Sequence, residues 1–193
     1  LTPEMKAPES ELSAPEFFDD EDARARIVKY AQSLLGREDL EQVGYGFRSD
    51  CSGYVIGVYK RMGYRFVLEP KPGDSSIAQS LFWTLFKKNL VYRNRSPKKA
   101  DLVFFKGTTD RRKDRISHVG IVAYVEEDGT VLILHYSSQG VAELRMNLRT
   151  PDTFKGRVGR VLNDFLKKGS GKRLSGQLFY SYGDFLKYVT STL

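Results

Sequence analysis

Cys51 stands in the word Asp50-Cys51-Ser52-Gly53-Tyr54 and is the only cysteine of a 193-residue chain, whose only two histidines, His118 and His135, follow it. A thiol alone is a poor tool near neutral pH; it needs a base beside it and a third group to hold that base. One thiol and two imidazoles supply one candidate for each role, with no spares. An isolated cysteine is more often a buried structural residue. Here its place after a capping acid and before two small residues points toward chemistry. The same three side chains are a thinner case for zinc, because no ligand spacing accompanies them; no metal or other cofactor is expected.

The elements that position these residues can be read from spacing. Asp50 is predicted to cap a helix that begins at Cys51, with Tyr54, Val55, Val58, Tyr59 and Met62 at helical intervals and Gly63 as the stop. The cysteine then sits in the first turn, where unpaired N–H groups and the positive end of the helix favour thiolate and can stabilise a substrate oxyanion. Ser52 and Gly53 are read as small residues that let a substrate backbone come close.

His118 opens one predicted strand, His118–Val125, and His135 lies near the end of the next, Thr130–Tyr136, around the turn Glu126-Glu127-Asp128-Gly129. With a four-residue loop, Val125 pairs with Thr130 and His135 lies opposite Gly120. Both rings then share one face of the sheet, on a diagonal of roughly 7 Å. A one-residue slip separates them, and a bulge changes the count. Gly120 leaves room for a ring to lean across. In this geometry His118 is the base facing the thiol, and His135 orients it through its other nitrogen.

Around this centre the order is helix first, then an antiparallel meander, an α+β arrangement. A helix capped by Asp19 or Asp20 should carry Ile27, Tyr30, Ala31, Leu34 and Leu35 on one face and end at Gly36. Residues 37–49 read as a loop. Ile77–Phe86 reads as a helix with Gln79 and Ser80 on its wet side. Leu102–Phe105 and Val141–Met146 read as strands, residues 107–117 as a charged loop, and Tyr182, Phe185, Leu186 and Val189 as the face of a closing helix. Residues 1–22 read as a flexible leader with three prolines, and residues 23–193 as a single catalytic domain.

The net charge of +7 is uneven: residues 1–22 carry eight acids and one base, the remainder 30 bases and 16 acids. A basic body suits an anionic partner such as a wall polymer, nucleic acid or a membrane face, though a merely soluble basic surface is the plainer reading. The 11 Tyr and 12 Phe fall mostly at core spacings, so packing is preferred to stacking on nucleic acid, and no nucleic-acid partner is expected. No apolar run is long enough to cross a bilayer. A single cysteine rules out an internal disulfide framework. The chain starts at Leu1, so a trimmed form that has lost a signal peptide is expected, and with it an extracytoplasmic location. A monomer is expected.

Four words carry a resemblance: Asp50-Cys51-Ser52-Gly53-Tyr54-Val55, Ala100-Asp101-Leu102-Val103-Phe104-Phe105, His118-Val119-Gly120-Ile121-Val122 and Ile133-Leu134-His135. In order and spacing they resemble the NlpC-type cell-wall cysteine peptidases, which have a papain-like fold. The hairpin from His118 to Val131 also resembles the sister CHAP amidases. Coverage is about residues 23–148, leaving a basic C-terminal extension, 150–193. The resemblance implies a cysteine helix packed on a small antiparallel sheet that carries the histidines. It implies hydrolysis of amide bonds in peptidoglycan stem peptides, with Cys51 as nucleophile, His118 as base and His135 as third member.

Asp50, Ser52 and Tyr45 are the expected oxyanion- or substrate-lining residues. Tyr45 is the nearest substitute for a tyrosine that family members carry about a dozen residues before the cysteine, near Asp39 here. Ala100 replaces a family glycine, a change expected to matter little. Two other readings use the same residues: a catalytically silent wall-binding module of this fold, and an acyltransferase.

Overall fold

The computed structural model describes residues 19–74, 76–112, 114–167 and 169–191. Three helices precede the sheet: α1 (Asp20–Ser33), α2 (Cys51–Arg61) and α3 (Ile77–Lys87). Each starts at a side-chain cap, from Asp19, Asp50 and Ser76 respectively, which satisfies an N–H that the first turn leaves without a partner. Asp20, Glu21 and Asp22 form the acidic first turn of α1, so the leader expected over residues 1–22 gives up its last residues to a helix. Residues 1–18 lie outside the described residues.

The strands are β1 (Val91–Tyr92), β2 (Leu102–Lys106), β3 (Ile116–Val125), β4 (Val131–Ser137), β5 (Gly140–Met146), β6 (Phe165–Lys167), β7 (Arg173–Leu174) and β8 (Phe179–Gly183), with α4 (Ser175–Leu178) before β8 and α5 (Phe185–Ser191) after it. Six strands make one antiparallel sheet in the order β1-β8-β2-β3-β4-β5, and β6 pairs with β7. The fold is α+β, a cysteine-bearing helix on a small antiparallel sheet, as the spacing predicted. One core lies between the helices and the sheet and contains Ile27, Tyr54, Val58, Leu81, Val119, Ile121 and Leu134. A second lies on the opposite face and contains Phe105, Val122, Ile133, Leu144 and Met146.

Two expectations need correction. Gln79 and Ser80 are buried, not wet. α3 presses this face onto β3, where Gln79 Oε1 accepts the Ile116 N–H at 3.1 Å, and Ser80 Oγ donates to the Ser76 carbonyl at 3.2 Å. Tyr182 belongs to β8 rather than to the closing helix. It pairs opposite Val103 and Tyr92 and packs on the rings of Tyr92 and Phe179. The C-terminal extension is therefore part of the sheet, because β8 is inserted between β1 and β2.

Ala100 shows what the glycine replacement entails. It has φ 69° and is fully buried, so the family's glycine is replaced by alanine where an L side chain is strained. The position is fixed from both sides. Its N–H donates to the Val122 carbonyl at 2.8 Å, and its carbonyl accepts the Tyr59 hydroxyl at 2.6 Å.

A buried arginine ties the N-terminal helix to the sheet. Arg24 donates to Asp20 at 2.7 Å, Asp101 at 2.7 Å, Asp184 at 2.9 Å and the Lys99 carbonyl at 2.9 Å, and Tyr92 donates to the far oxygen of Asp101. Burial alone would lower the guanidinium pKa, but the carboxylates outweigh it and raise it.

Candidate active site

The β3–β4 hairpin differs from the predicted pairing in two compensating ways. Val125 pairs with Val131, so five residues close the turn, not four. The register then shifts between Val122 and Tyr124, an extra residue at Ala123 on β3, so that Val122 pairs with Ile133 and Ile121 with Leu134. An odd loop alone would turn one histidine to the other face; the bulge turns it back. Gly120 therefore comes opposite His135, and a Cβ there would lie 2.6 Å from Ile133 Cγ2 and 3.4 Å from His135 Cβ. Glycine is needed here because a Cβ would also fall 2.9 Å from the Leu134 carbonyl oxygen, while His135 lies at ordinary contact distance.

The two rings meet. His118 Nε2 and His135 Nδ1 are 2.8 Å apart, with centroids 5.1 Å apart and planes at 86°. One nitrogen must donate and the other accept. His118 is partly buried and His135 is 6% exposed. Burial, then the neighbouring His135, push His118 down to about 3, so its ring is neutral at physiological pH.

The rings face away from α2. His118 pairs with Phe105, and His135 lies two residues beyond Ile133; both of those neighbours belong to the second core. The histidines thus share the sheet face opposite the helical core. The cysteine reaches them by another route. The described β3–β4 pairing runs to Ile121 and Leu134, and one residue further on Gly120 still lies against the Leu134 carbonyl and His135. Val122 uses both its N–H and its carbonyl toward the β2 side, so by strand alternation Val119 turns its N–H toward the β4 side. That N–H acts on the Cys51 sulfur and favours its ionised form. The thiol therefore sits against the peptide that follows His118.

Cys51 is partly exposed, so it is not sealed in the core, but it is not pre-ionised either. Burial raises its pKa, the N–H groups of Val119, Ser52 and Cys51 lower it, and the charge of Asp50 adds to the rise. The net direction is upward, against the expectation that the helix terminus would yield a thiolate.

The residues around Cys51 mostly build the turn that holds it. Asp50 Oδ1 accepts the Gly53 N–H at 2.6 Å, as an N-cap should. Ser52 is 5% exposed; its hydroxyl donates to Asp50 at 3.1 Å and accepts from Arg48 at 3.3 Å. Gly53 is small for the chain's own sake, since a Cβ there would fall 2.5 Å from the Arg48 carbonyl oxygen. One turn later a Cβ at Gly57 would fall 2.2 Å from the Phe47 ring. The pair lets the preceding loop lie across α2. Ser52 and Gly53 are thus spoken for by Arg48 and Asp50, and the closeness they allow is to the protein itself. Tyr45 is 91% exposed, with the Lys60 ammonium 5.4 Å from its ring centre. Lys60 stands near the C-terminal end of α2, whereas Cys51 begins it.

A cleft of about 580 Å³ opens on the histidine face. His118 and His135 form part of its wall, with Thr108 and Thr109 on one side and Phe154, Asp164 and Phe165 on another. The last three come from the C-terminal extension and carry no motif, so spacing gave no sign of them. Among the described residues no group of three or more His, Cys, Asp or Glu side chains is placed to hold a metal. No helix among them is long and apolar enough to cross a membrane. A family model described as the CHAP domain matches residues 41–137, half of the chain. No curated protein matches.

Proposed function

We propose, on the premise that this chain belongs to the CHAP domain family, that it cuts amide bonds in peptidoglycan stem peptides through Cys51, His118 and His135. CHAP domains are papain-like cysteine amidase or peptidase domains of cell-wall hydrolases, so the reaction class and substrate polymer follow from membership; the residue roles and the acyl-enzyme route are our reading. The observation that carries it is the 2.8 Å contact between the two imidazoles, together with the Val119 N–H, next after His118, acting on the Cys51 sulfur.

That contact leaves His118 Nδ1 to receive the thiol proton, with Nε2–H donating to His135 Nδ1. With thiol and imidazole both neutral at rest, attack and proton transfer occur together. The sulfur adds to the amide carbonyl as His118 takes its proton. The resulting oxyanion is met by N–H groups at the start of α2. Collapse breaks the C–N bond as His118 returns the proton to the leaving amine. Water, deprotonated by His118, then cleaves the thioester and frees Cys51. His135 strengthens its hold as His118 becomes cationic. A location outside the cytoplasm belongs to the same reading, since cell-wall hydrolases act there.

The test is release of soluble fragments from purified sacculi. Cys51→Ala is expected to abolish release while keeping the circular dichroism spectrum, and His135→Ala to slow it less than His118→Ala, because His135 orients the base and transfers no proton. Undiminished release by Cys51→Ala sinks the assignment; equal losses in the two histidine variants sink the division of roles. The upward shift of the thiol favours one second reading, a silent wall-binding module, for which wild-type protein retains sacculi without releasing fragments.

A further inference from the structure

A second pocket of about 510 Å³ adjoins the cleft, lined by Lys106, Gly107, Lys167, Gly171, Arg173 and Tyr180 among others. The two share a boundary through consecutive residues, with Gly107 and Lys167 in this pocket and Thr108 and Leu166 in the cleft. Its lining includes three cationic side chains and no carboxylate.

The cations are held differently. Lys106 Nζ lies 3.9 Å from the centre of the Tyr180 ring, a contact that fixes the ammonium without neutralising it. Lys167 Nζ is 2.6 Å from Asp110 Oδ1, which straps the loop after β2 to β6. Lys106 and Arg173 form no ion pair among the described residues. Asp152 accepts from Gln177 at 3.0 Å, and the carboxylates Glu143 and Asp164 line the adjoining cleft rather than this pocket. Two uncompensated cations on one concave, partly apolar wall repel each other and attract an anion. Gly107 and Gly171, at φ 67° and 70°, make turns without side chains on either side of the opening, so a ligand can approach closely.

We propose that this pocket is an anion subsite that receives a free carboxylate of the peptide whose amide is presented to Cys51. The proposal rests on the peptidase reading for its choice of anion, because carboxylates are the negative groups a stem peptide carries. Leu178 and Phe179 in the same wall accept the short carbon chain that bears it. The enzyme thereby selects unamidated over amidated peptides.

The experiment uses the full chain carrying Cys51→Ala, titrated by calorimetry with a stem tetrapeptide in free-acid form and in fully amidated form. The free acid is expected to bind about tenfold more tightly at low salt, in line with charge-assisted hydrogen bonds, and the gap should shrink as salt rises. Adding Lys106→Gln and Arg173→Gln is expected to reduce the gap below twofold, with the melting temperature showing that the fold survives. Equal affinity for the two peptides overturns the proposal, as does a gap that persists in the substituted protein. If neither peptide binds yet wild-type enzyme releases fragments from sacculi, the subsite falls and the peptidase reading stands. If the free acid binds selectively yet wild type cleaves nothing, the reverse holds.

Discussion

Acid should destabilise this protein through His118 before its carboxylates titrate. In the folded chain burial and His135 hold the ring's pKa down at about 3, whereas in the unfolded chain it is ordinary, near 6.5. Below 6.5 the unfolded state therefore binds a proton that the folded state refuses. Stability falls as pH falls, with a limiting slope of about 1.4 kcal/mol per pH unit, until the folded pKa is reached. Integrated between pH 7 and pH 5, one such group costs about 2 kcal/mol. Urea unfolding of wild type and His118→Gln at the two pH values isolates the effect, since carboxylate contributions are common to both. The wild type should lose about 2 kcal/mol more than the variant over this interval. If the two proteins lose stability in parallel, to within about 0.5 kcal/mol, His118 is not held neutral by the fold and the argument for an uncharged resting pair collapses.

The raised thiol gives an opposite pH signature: alkylation of Cys51 by iodoacetamide should stay slow at neutral pH and accelerate only above pH 9, and rapid labelling at pH 6 would show a pre-formed thiolate instead. Arg24→Met leaves Asp101 buried without its cation. It should cost about 3–5 kcal/mol in urea unfolding at pH 7. Part of this should return in the Arg24→Met/Asp101→Asn double variant, and a loss under 1 kcal/mol would show the network to be dispensable. Ala100→Gly should be close to neutral, within about 0.5 kcal/mol, because relief of the left-handed strain offsets the lost methyl and the added chain entropy. A buried helical control, Ala78→Gly, should lose at least about 1 kcal/mol, and similar losses at both sites would refute the strain.

The parts of the fold with short-range causes were legible. Asp50 had to cap something, and Cys51 is the first residue of the helix it caps. Alternation placed the histidines on one face, although the pairing used to derive it is not the one that forms. The five-residue turn and the bulge at Ala123 each change parity, and neither leaves a mark in residue types. What escaped depends on partners far along the chain. Arg24 looks like any helix-surface arginine until Asp101 and Asp184 arrive beside it. Gln79 and Ser80 look solvent-facing until β3 covers them. Gly53 was visible as small but not what it makes room for, because Arg48 lies in a loop whose path no periodicity fixes. The thiol's environment was misjudged for the same reason: a helix terminus is read locally, whereas desolvation depends on everything packed around it.

The placement of β8 bears on how this domain can be handled or recombined. The segment 41–137 contains β2, β3 and β4 but not the strand that lies against β2. Excised at those limits, β2 would present a bare row of N–H and carbonyl groups beside Phe104 and Phe105, an invitation to dock onto a neighbouring copy and stack into insoluble aggregates. Fusions and truncations should therefore carry the chain through β8 and on to the end of α5 at Ser191, even when only the cysteine and its histidines are wanted.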